Sequence, residues 1–399
     1  MKIVRLALFL AILAPLTVVV PPNELRAATP GTMGTTTRAA MSASGQSIPS
    51  RTVTGFASAR LPWKFVFPRD HGAHFGFASE WWYYTGHLVA TDGRRFGYEL
   101  TFFRYGLRPG DPRPGPGQSK WRGNQVYPAH LALTDERGRR FVYDERFARE
   151  ALGMGRASDR ALDVAANDWT LHETGQRGTS TLRMRAASDA VGLDLIQVAE
   201  KPPAVHGHDG ISLKGACASC ASHYYSMTRL RTSGRLRYGG RWFRVTGTSW
   251  MDHEFGSDEL QPDQVGWDWF SIQLDDGREI MDYRLREKSG ALTPESSGSL
   301  VDERGAVRYL AREDVLVDAT GAWKSPHTGG TYPSGWHVRI PSAHLDLVLT
   351  PVLVDQELAN TTGGTSYWEG AVDANDAATG KHLGVGYVEL TGYAGAISL

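Results

Sequence analysis

Two stretches of this chain follow the same pattern, and together they leave few folds open. Residues 80–88 are crowded with aromatic side chains and lead through Thr91, Asp92 and Gly93 into a second apolar run at 95–105. Residues 267–274 lead in the same way through Asp275, Asp276 and Gly277 into 279–285. An Asp-Gly step between two alternating apolar runs signals a β-hairpin, because glycine supplies the positive φ that a tight turn requires. The period-two pattern continues at 129–133, 169–172, 180–186, 192–198, 222–232, 241–251, 336–340, 343–351, 367–373 and 382–391. Strands at this spacing, with turn residues between them and almost no helical periodicity, belong to closed antiparallel barrels or sandwiches. Short helices are expected only at 146–154 and 302–312. The fold class is therefore all-β, and the matching hairpins in opposite halves point to two related units.

The 399 residues fit about two domains at roughly 150 residues each. Lys and Arg total 43 and Asp and Glu total 43, so no net field exists to attract nucleic acid or an anionic membrane surface. The 12 Trp, 15 Tyr and 14 Phe favour strands and the apolar walls of a ligand site. At the N-terminus, Lys2 and Arg5 precede an apolar run at 6–20 that Pro15 interrupts, and Leu25, Arg26 and Ala27 offer a cleavage site. Residues 1–28 read as a cleaved secretory signal, since the run is short for a stable span. Residues 29–54, rich in Ala, Thr, Ser and Gly, read as a flexible linker. The expected location is the periplasm or the medium, with no transmembrane domain left after cleavage. Two long loops, 107–124 and 202–219, are candidate lids.

The motifs of serine hydrolases, zincins and nucleotide-binding proteins are absent: there is no G-x-S-x-G, H-E-x-x-H, Walker A or G-x-G-x-x-G. On a strand, Glu80, Trp82 and Tyr84 share one face while Trp81, Tyr83 and His87 share the other. Glu80 then either sits among rings in a ligand site, with its pKa raised by burial, or pairs with an arginine such as Arg104 while the outer aromatics of the strand meet a neighbouring domain. Farther on, Trp250 and Asp252 share a face, as do His223 and Tyr225. An acid, an imidazole and two rings could line one cavity, unless Asp252 merely bonds the turn that ends at Gly256. Trp267, Asp268 and Trp269 follow closely and join Glu80, Trp82 and Tyr84 as candidate ligand-binding residues. Cys217 and Cys220 read as a local disulfide in an exported chain; a zinc site with His206, His208 and His223 is the alternative.

These residues resemble the AttH-like proteins and the carotenoid 1,2-hydratases, whose fungal relatives hydrate or cyclise hydrophobic metabolites. The resemblance rests on the run 80–87, on Lys201, Pro202, Pro203, His206 and Gly207, and on the runs 223–229, 250–256 and 266–284, and it extends from Trp63 to the C-terminus. It implies two lipocalin-like antiparallel β-barrel domains in tandem, an N-terminal one at 55–256 and a C-terminal one at 257–399, with a ligand cavity in or between them. It also implies that His223, Tyr225, Trp250 and Asp252 correspond to the residues implicated in adding water to an isoprenoid double bond. The carotenoid enzymes resemble this chain with Trp and Tyr exchanged at 225 and 250, a swap that keeps the acid and argues against a carotenoid substrate. The chemistry so implied needs no metal or organic cofactor: Asp252 protonates the alkene, Trp250 and Tyr225 stabilise the cation, and His223 activates water.

Three functions compete at this stage. The first is a hydratase of a hydrophobic, isoprenoid- or lipid-like small molecule. The second is a non-catalytic periplasmic lipid carrier. The third is a secreted hydrolase that pairs Asp252 with Asp268. The expected partners are that small molecule and an envelope ABC transporter, and the chain is expected to be a monomer.

Overall fold

The computed structural model describes residues 55–110, 117, 119, 121–175, 180–217, 219–257, 260–361 and 365–395. The expected signal and linker lie outside the described residues, as does the middle of the 107–124 loop.

Chain order gives thirteen strands of one sheet: β1 Ser79–Ala90, β2 Arg95–Gly106, β3 Gln125–Asp135, β4 Arg140–Arg149, β5 Gly155–Ala157, β6 Asp163–Ala166, β7 Trp169–Glu173, β8 Thr181–Ala187, β9 Val191–Ala199, β10 Ala204–Val205, β11 Ile211–Leu213, β12 Ala221–Tyr238 and β13 Arg241–Gly256. Their order is β4-β3-β2-β1-β13-β12-β9-β8-β7-β6-β5, with β10 and β11 added along β12. At the two ends of this path, β4 packs against β5 and β6, so the sheet is a nearly closed barrel.

The second half of the chain supplies β14 Gln264–Leu274, β15 Glu279–Glu287, β16 Ser297–Val301, β17 Val307–Ala311, β18 Leu316–Ala319, β19 Ala322–Lys324, β20 Thr331–Pro333, β21 Trp336–Ile340, β22 Leu345–Pro351, β23 Glu357–Leu358, β24 Tyr367–Asp376 and β25 His382–Thr391. All but the separate β19–β20 pair form a ten-stranded half-barrel, ordered β17-β16-β15-β14-β25-β24-β22-β21-β18 with β23 on β24. The two large sheets thus draw on separate parts of the chain, and no strand pairing joins them among the described residues.

Both signature hairpins form, with the same turn chemistry. Gly93 and Gly277 adopt φ of 80° and 88°, and Asp92 and Asp276 each accept the backbone N–H two residues ahead, at 3.1 and 3.0 Å. The helices expected at 146–154 and 302–312 do not form. The first region is the end of β4 and a 3-10 turn, Ala151–Gly153; the second is a turn, then β17, then the 3-10 turn Arg312–Asp314. Strands β4 and β17 are the outer edges of their sheets and are largely exposed, so neither carries the alternating buried face that marks a strand in sequence.

Alternation decides where the cores lie. Trp82, Tyr84, Leu88, Phe96, Tyr98 and Leu100 point into the barrel and join its core, while Phe270, Ile272, Trp336 and Trp368 fill the half-barrel. A third apolar cluster, including Tyr83, Tyr224, Trp250, Trp269, Tyr283 and Leu285, lies between the two sheets. Burying each large apolar side chain contributes about 1.5–3 kcal/mol, so this contact behaves as a core, not as a loose domain interface. A polar clamp reinforces it. Buried Glu279 of β15 receives Arg229 Nε of β12 at 2.5 Å and Lys201 Nζ, from the segment after β9, at 2.7 Å, so a carboxylate of the second sheet is held by cations from the first half of the chain.

Candidate active site between the sheets

The aromatic cluster between the sheets opens into a cavity of about 820 Å³, open solvent at its mouth included. One wall is sheet one: Trp81 and Tyr83 of β1, Thr101, Phe103 and Tyr105 of β2, and Tyr224, Asp252 and Glu254 of β12 and β13. The opposite wall is sheet two: Trp267 and Trp269 of β14, Tyr283 and Leu285 of β15, with Tyr367 and Glu389 from β24 and β25. Lys214 and Leu260 come from connecting segments.

Asp252 lies toward the C-terminal end of β13, opposite Tyr83 on one side and Ser226 on the other. Its carboxylate accepts Tyr224 Oη at 2.6 Å on Oδ2, and Trp250 Nε1 at 2.5 Å together with Ser226 Oγ on Oδ1. Burial disfavours the charged form and the three donors favour it; burial wins, and the group is pushed up to about 7. Behind Ser226, His206 Nε2 lies at 2.6 Å and His206 Nδ1 at 2.9 Å from Ser299 Oγ. Because Ser226 gives its own proton to Asp252, His206 donates from Nε2, and burial keeps the ring neutral with a pKa of about 3. Trp269 Nε1 in turn donates to Tyr224 Oη at 3.1 Å. Asp252 is thus fixed in place by both sheets.

Further carboxyls surround it. Glu389, held by Trp267 Nε1 at 2.9 Å, is pushed by burial up to about 7. Glu254 pairs with Lys214 Nζ at 2.7 Å and accepts from Ser222. Deeper between the sheets, Glu369 accepts Tyr83 Oη at 2.6 Å and is pushed well up by burial and by Glu389. Glu99, also buried, is pushed up to about 8. An apolar, aromatic cavity edged by acids that titrate near neutrality can hold a hydrophobic molecule and exchange protons with it.

The structure divides the sequence candidates between two places. Asp252, Trp267 and Trp269 line the cavity, and Trp250 lies behind Asp252 as its hydrogen-bond donor and against Trp269, at 6.2 Å between ring centroids. His223 and Tyr225 do not join them. In the β12–β13 register they pair with Phe255 and His253, on the barrel-facing side of the strands, whereas Tyr224 and Ser226 share the side of Asp252. Glu80, Trp82 and Tyr84 likewise face the barrel, and Trp81 and Tyr83 face the cavity. Asp268 points away from the cavity, where it binds Arg286 Nε at 2.9 Å and Tyr393 Oη at 3.0 Å. It therefore forms no acid pair with Asp252, and the hydrolase reading loses its second carboxylate.

Inside the barrel, Glu80 is a hub. Arg104 Nε donates to it at 2.7 Å, and His74 Nδ1 and His253 Nε2 approach at 2.8 and 2.9 Å. His253 Nδ1 and His71 Nδ1 both meet Tyr225 Oη, at 3.0 and 2.7 Å. The side chains of His74, Glu80 and His253 offer donor atoms within 4.8 Å of one another, as a metal would require. However, the fully buried guanidinium of Arg104 already supplies the positive charge that Glu80 needs. Arg104 holds Glu80 well below the usual carboxylate range, the opposite of the rise that burial among rings would give on its own.

Cys217 and Cys220 form a disulfide with Cα atoms 5.2 Å apart. It closes the turn that follows Lys214, whose N–H bonds Cys220 O at 2.8 Å. The 202–219 segment therefore carries both His206 and Lys214 to the site.

Sequence reasoning missed Tyr224, Ser226, Glu254, Trp81, Tyr83 and Glu389. The first three were visible as the alternate positions of strands already singled out. Glu389 carried no local signal, because only the pairing of β25 with β14, Trp269 opposite Glu389, brings it to the cavity.

Tandem antiparallel barrels with an aromatic cavity between them define a class, the tandem lipocalin-like proteins. Within that class, residues 58–393 match the AttH-like family model, and the chain belongs to the AttH-like family. A crystal structure of an AttH-assigned protein from Nitrosomonas europaea is 32% identical, aligns over 85% of this chain and 100% of its own, and has a TM-score of 0.74. Kievitone hydratase from Nectria haematococca, 16% identical over 86% of this chain and 98% of its own with a TM-score of 0.60, shares the fold. No functionally curated protein matches the sequence at a significant level.

Proposed function

We propose that this protein binds a hydrophobic small molecule in the cavity between the sheets and adds water across a C=C bond, with Asp252 as the acid. The observation that carries this reading is a buried carboxyl poised at about 7 on the wall of an aromatic cavity. A general acid works best with a pKa near the working pH, and such catalysis contributes about 10²–10⁴-fold. In the proposed step, the Asp252 proton passes to one alkene carbon and leaves a carboxylate that the Tyr224, Ser226 and Trp250 donors stabilise. The cation formed on the other carbon lies among the indole faces of Trp267 and Trp269, an attraction of about 2 kcal/mol when desolvated. Water attacks that carbon and gives its spare proton to the ionised form of Glu389. Exchange with solvent returns a proton to Asp252. Glu389 takes the base role expected of His223, which faces the barrel instead.

The location proposed with this reading is the periplasm or the medium, after removal of residues 1–28. Native mass spectrometry of the purified protein identifies what it carries. That molecule, incubated in ¹⁸O-water, should gain one labelled water with wild type and none with Asp252→Asn. Equal turnover by both proteins would remove Asp252 from the chemistry. The three donors that saturate Asp252 also suit a rigid carrier wall, and a ligand bound by both proteins but altered by neither would establish that second reading.

A further inference from the structure

A zero net charge hides a strongly uneven surface. On β8, β9, β12 and β13 the side chains alternate cleanly: Leu193, Leu195 and Leu236 point into the barrel, and arginines point out. Outward-facing Arg183, Arg185 and Arg235 all converge on one carboxylate, Asp194, at 2.9, 3.4 and 3.1 Å. Beside them, Arg244, opposite Arg235, and Arg237, opposite Trp242, have no ion-pair partner among the described residues. Five guanidinium groups therefore gather around Asp194 on the outer wall of the barrel, where a sixth, Arg231, is matched by Glu200 at 3.3 Å. Among them Trp242 of β13 is 45% exposed, with Arg235 and Arg237 5.0 and 5.9 Å from its ring centroid, and Ile196 is 42% exposed on β9, beyond β12.

We propose that this face docks on a bilayer containing anionic phospholipid. Guanidinium groups pair with lipid phosphates in a fork geometry, and an indole held among them has the amphipathic character that places Trp at the headgroup level of membranes. Nucleic acid would use the arginines, but it offers nothing to Ile196, and the outer wall of a barrel is too broad to enter a groove. Polybasic attraction to an anionic leaflet grows with each cation near the surface and is screened by salt. The inference stands on this face alone and does not depend on the hydration chemistry.

The test is sedimentation of the full-length protein with phosphatidylcholine vesicles and with vesicles in which about a third of the lipid is phosphatidylglycerol. Binding to the phosphatidylcholine vesicles gives the baseline, including any contribution from the apolar run at 6–20. Expected results are a gain of about tenfold on the anionic vesicles, loss of that gain at high salt, and its loss in the R235E/R244E double variant. W242A should lower anionic binding severalfold, whereas R308E, on exposed β17 of the other sheet, should bind as wild type. Thermal midpoints of all variants check that each has folded. Indifference to lipid charge, wild-type binding by R235E/R244E, or equal affinity for a DNA duplex would each overturn the proposal.

Discussion

At Asp252 burial and hydrogen bonding oppose each other on a single residue, and burial prevails. Each hydrogen bond to a charged group contributes about 1.5–3 kcal/mol, or roughly one to two pKa units, and three such bonds still fail to bring this carboxyl back to its usual range. Its proton is therefore present at mildly acidic pH and lost as pH passes about 7. Turnover that needs this proton should fall along that limb in a pH–rate profile, and Asp252→Asn should lower kcat by about 10²-fold or more. Tyr224→Phe removes one donor to the carboxylate while keeping the ring, so it should move the limb about one unit upward. A downward shift, or none, would mean that the Tyr224 bond does not tune the acid.

At the scale of the strand, adjacent residues serve different compartments, and variants of neighbours should separate cleanly. Trp82 is fully buried in the barrel core, so Trp82→Ala should cost about 3–5 kcal/mol of stability in urea unfolding. Trp81 lines the cavity, so Trp81→Ala should weaken ligand binding with little loss of stability, and equal destabilisation by both would contradict the two-faced strand. His223→Ala should likewise leave ligand turnover intact, because its ring packs against Trp63, tilted by 30° at 4.3 Å between centroids, on the barrel side. Alternation within each of these strands was legible from the sequence: it put Trp250 with Asp252, and His223 with Tyr225, on shared faces. Register was not. Which face of β12 meets which face of β13 depends on pairing across the strands, and a shift of one residue would have joined all four. The Glu80–Arg104 pair was legible because the two residues lie opposite each other in a hairpin whose turn fixes the register. Glu389, 137 positions after Asp252 by residue number, had no such guide.

For the molecule as a whole, the buried charges between the sheets make stability depend on pH with a definite sign. Asp252 and Glu389 are raised to about 7, Glu99 to about 8, and Glu369 is also raised. A carboxyl whose folded pKa exceeds its unfolded value binds more protons in the native state, so its contribution is present at low pH and lost as pH rises through the folded value. Buried histidines oppose this at lower pH. His71, His87, His130 and His223 are lowered to about 4 and His206 to about 3, so each contributes stability that is present above about 6.5 and lost as pH falls. Below about 6.5 the two groups offset one another. Above it those histidines are neutral in both the folded and unfolded states, while the acids between the sheets continue to titrate, joined with the same sign by His74, which Asp70 and Glu80 raise against its burial. The unfolding free energy from urea titration should therefore decline between pH about 6.5 and about 8.5, by an amount on the order of 2 kcal/mol, and the urea midpoint with it. The double variant Glu99→Gln with Glu369→Gln should flatten that decline, because an amide keeps the shape and cannot ionise. A midpoint that holds steady or rises over this range in the wild type would mean that these carboxyls are already ionised at neutral pH, and that the cavity between the sheets is not the low-dielectric site on which acid catalysis by Asp252 depends.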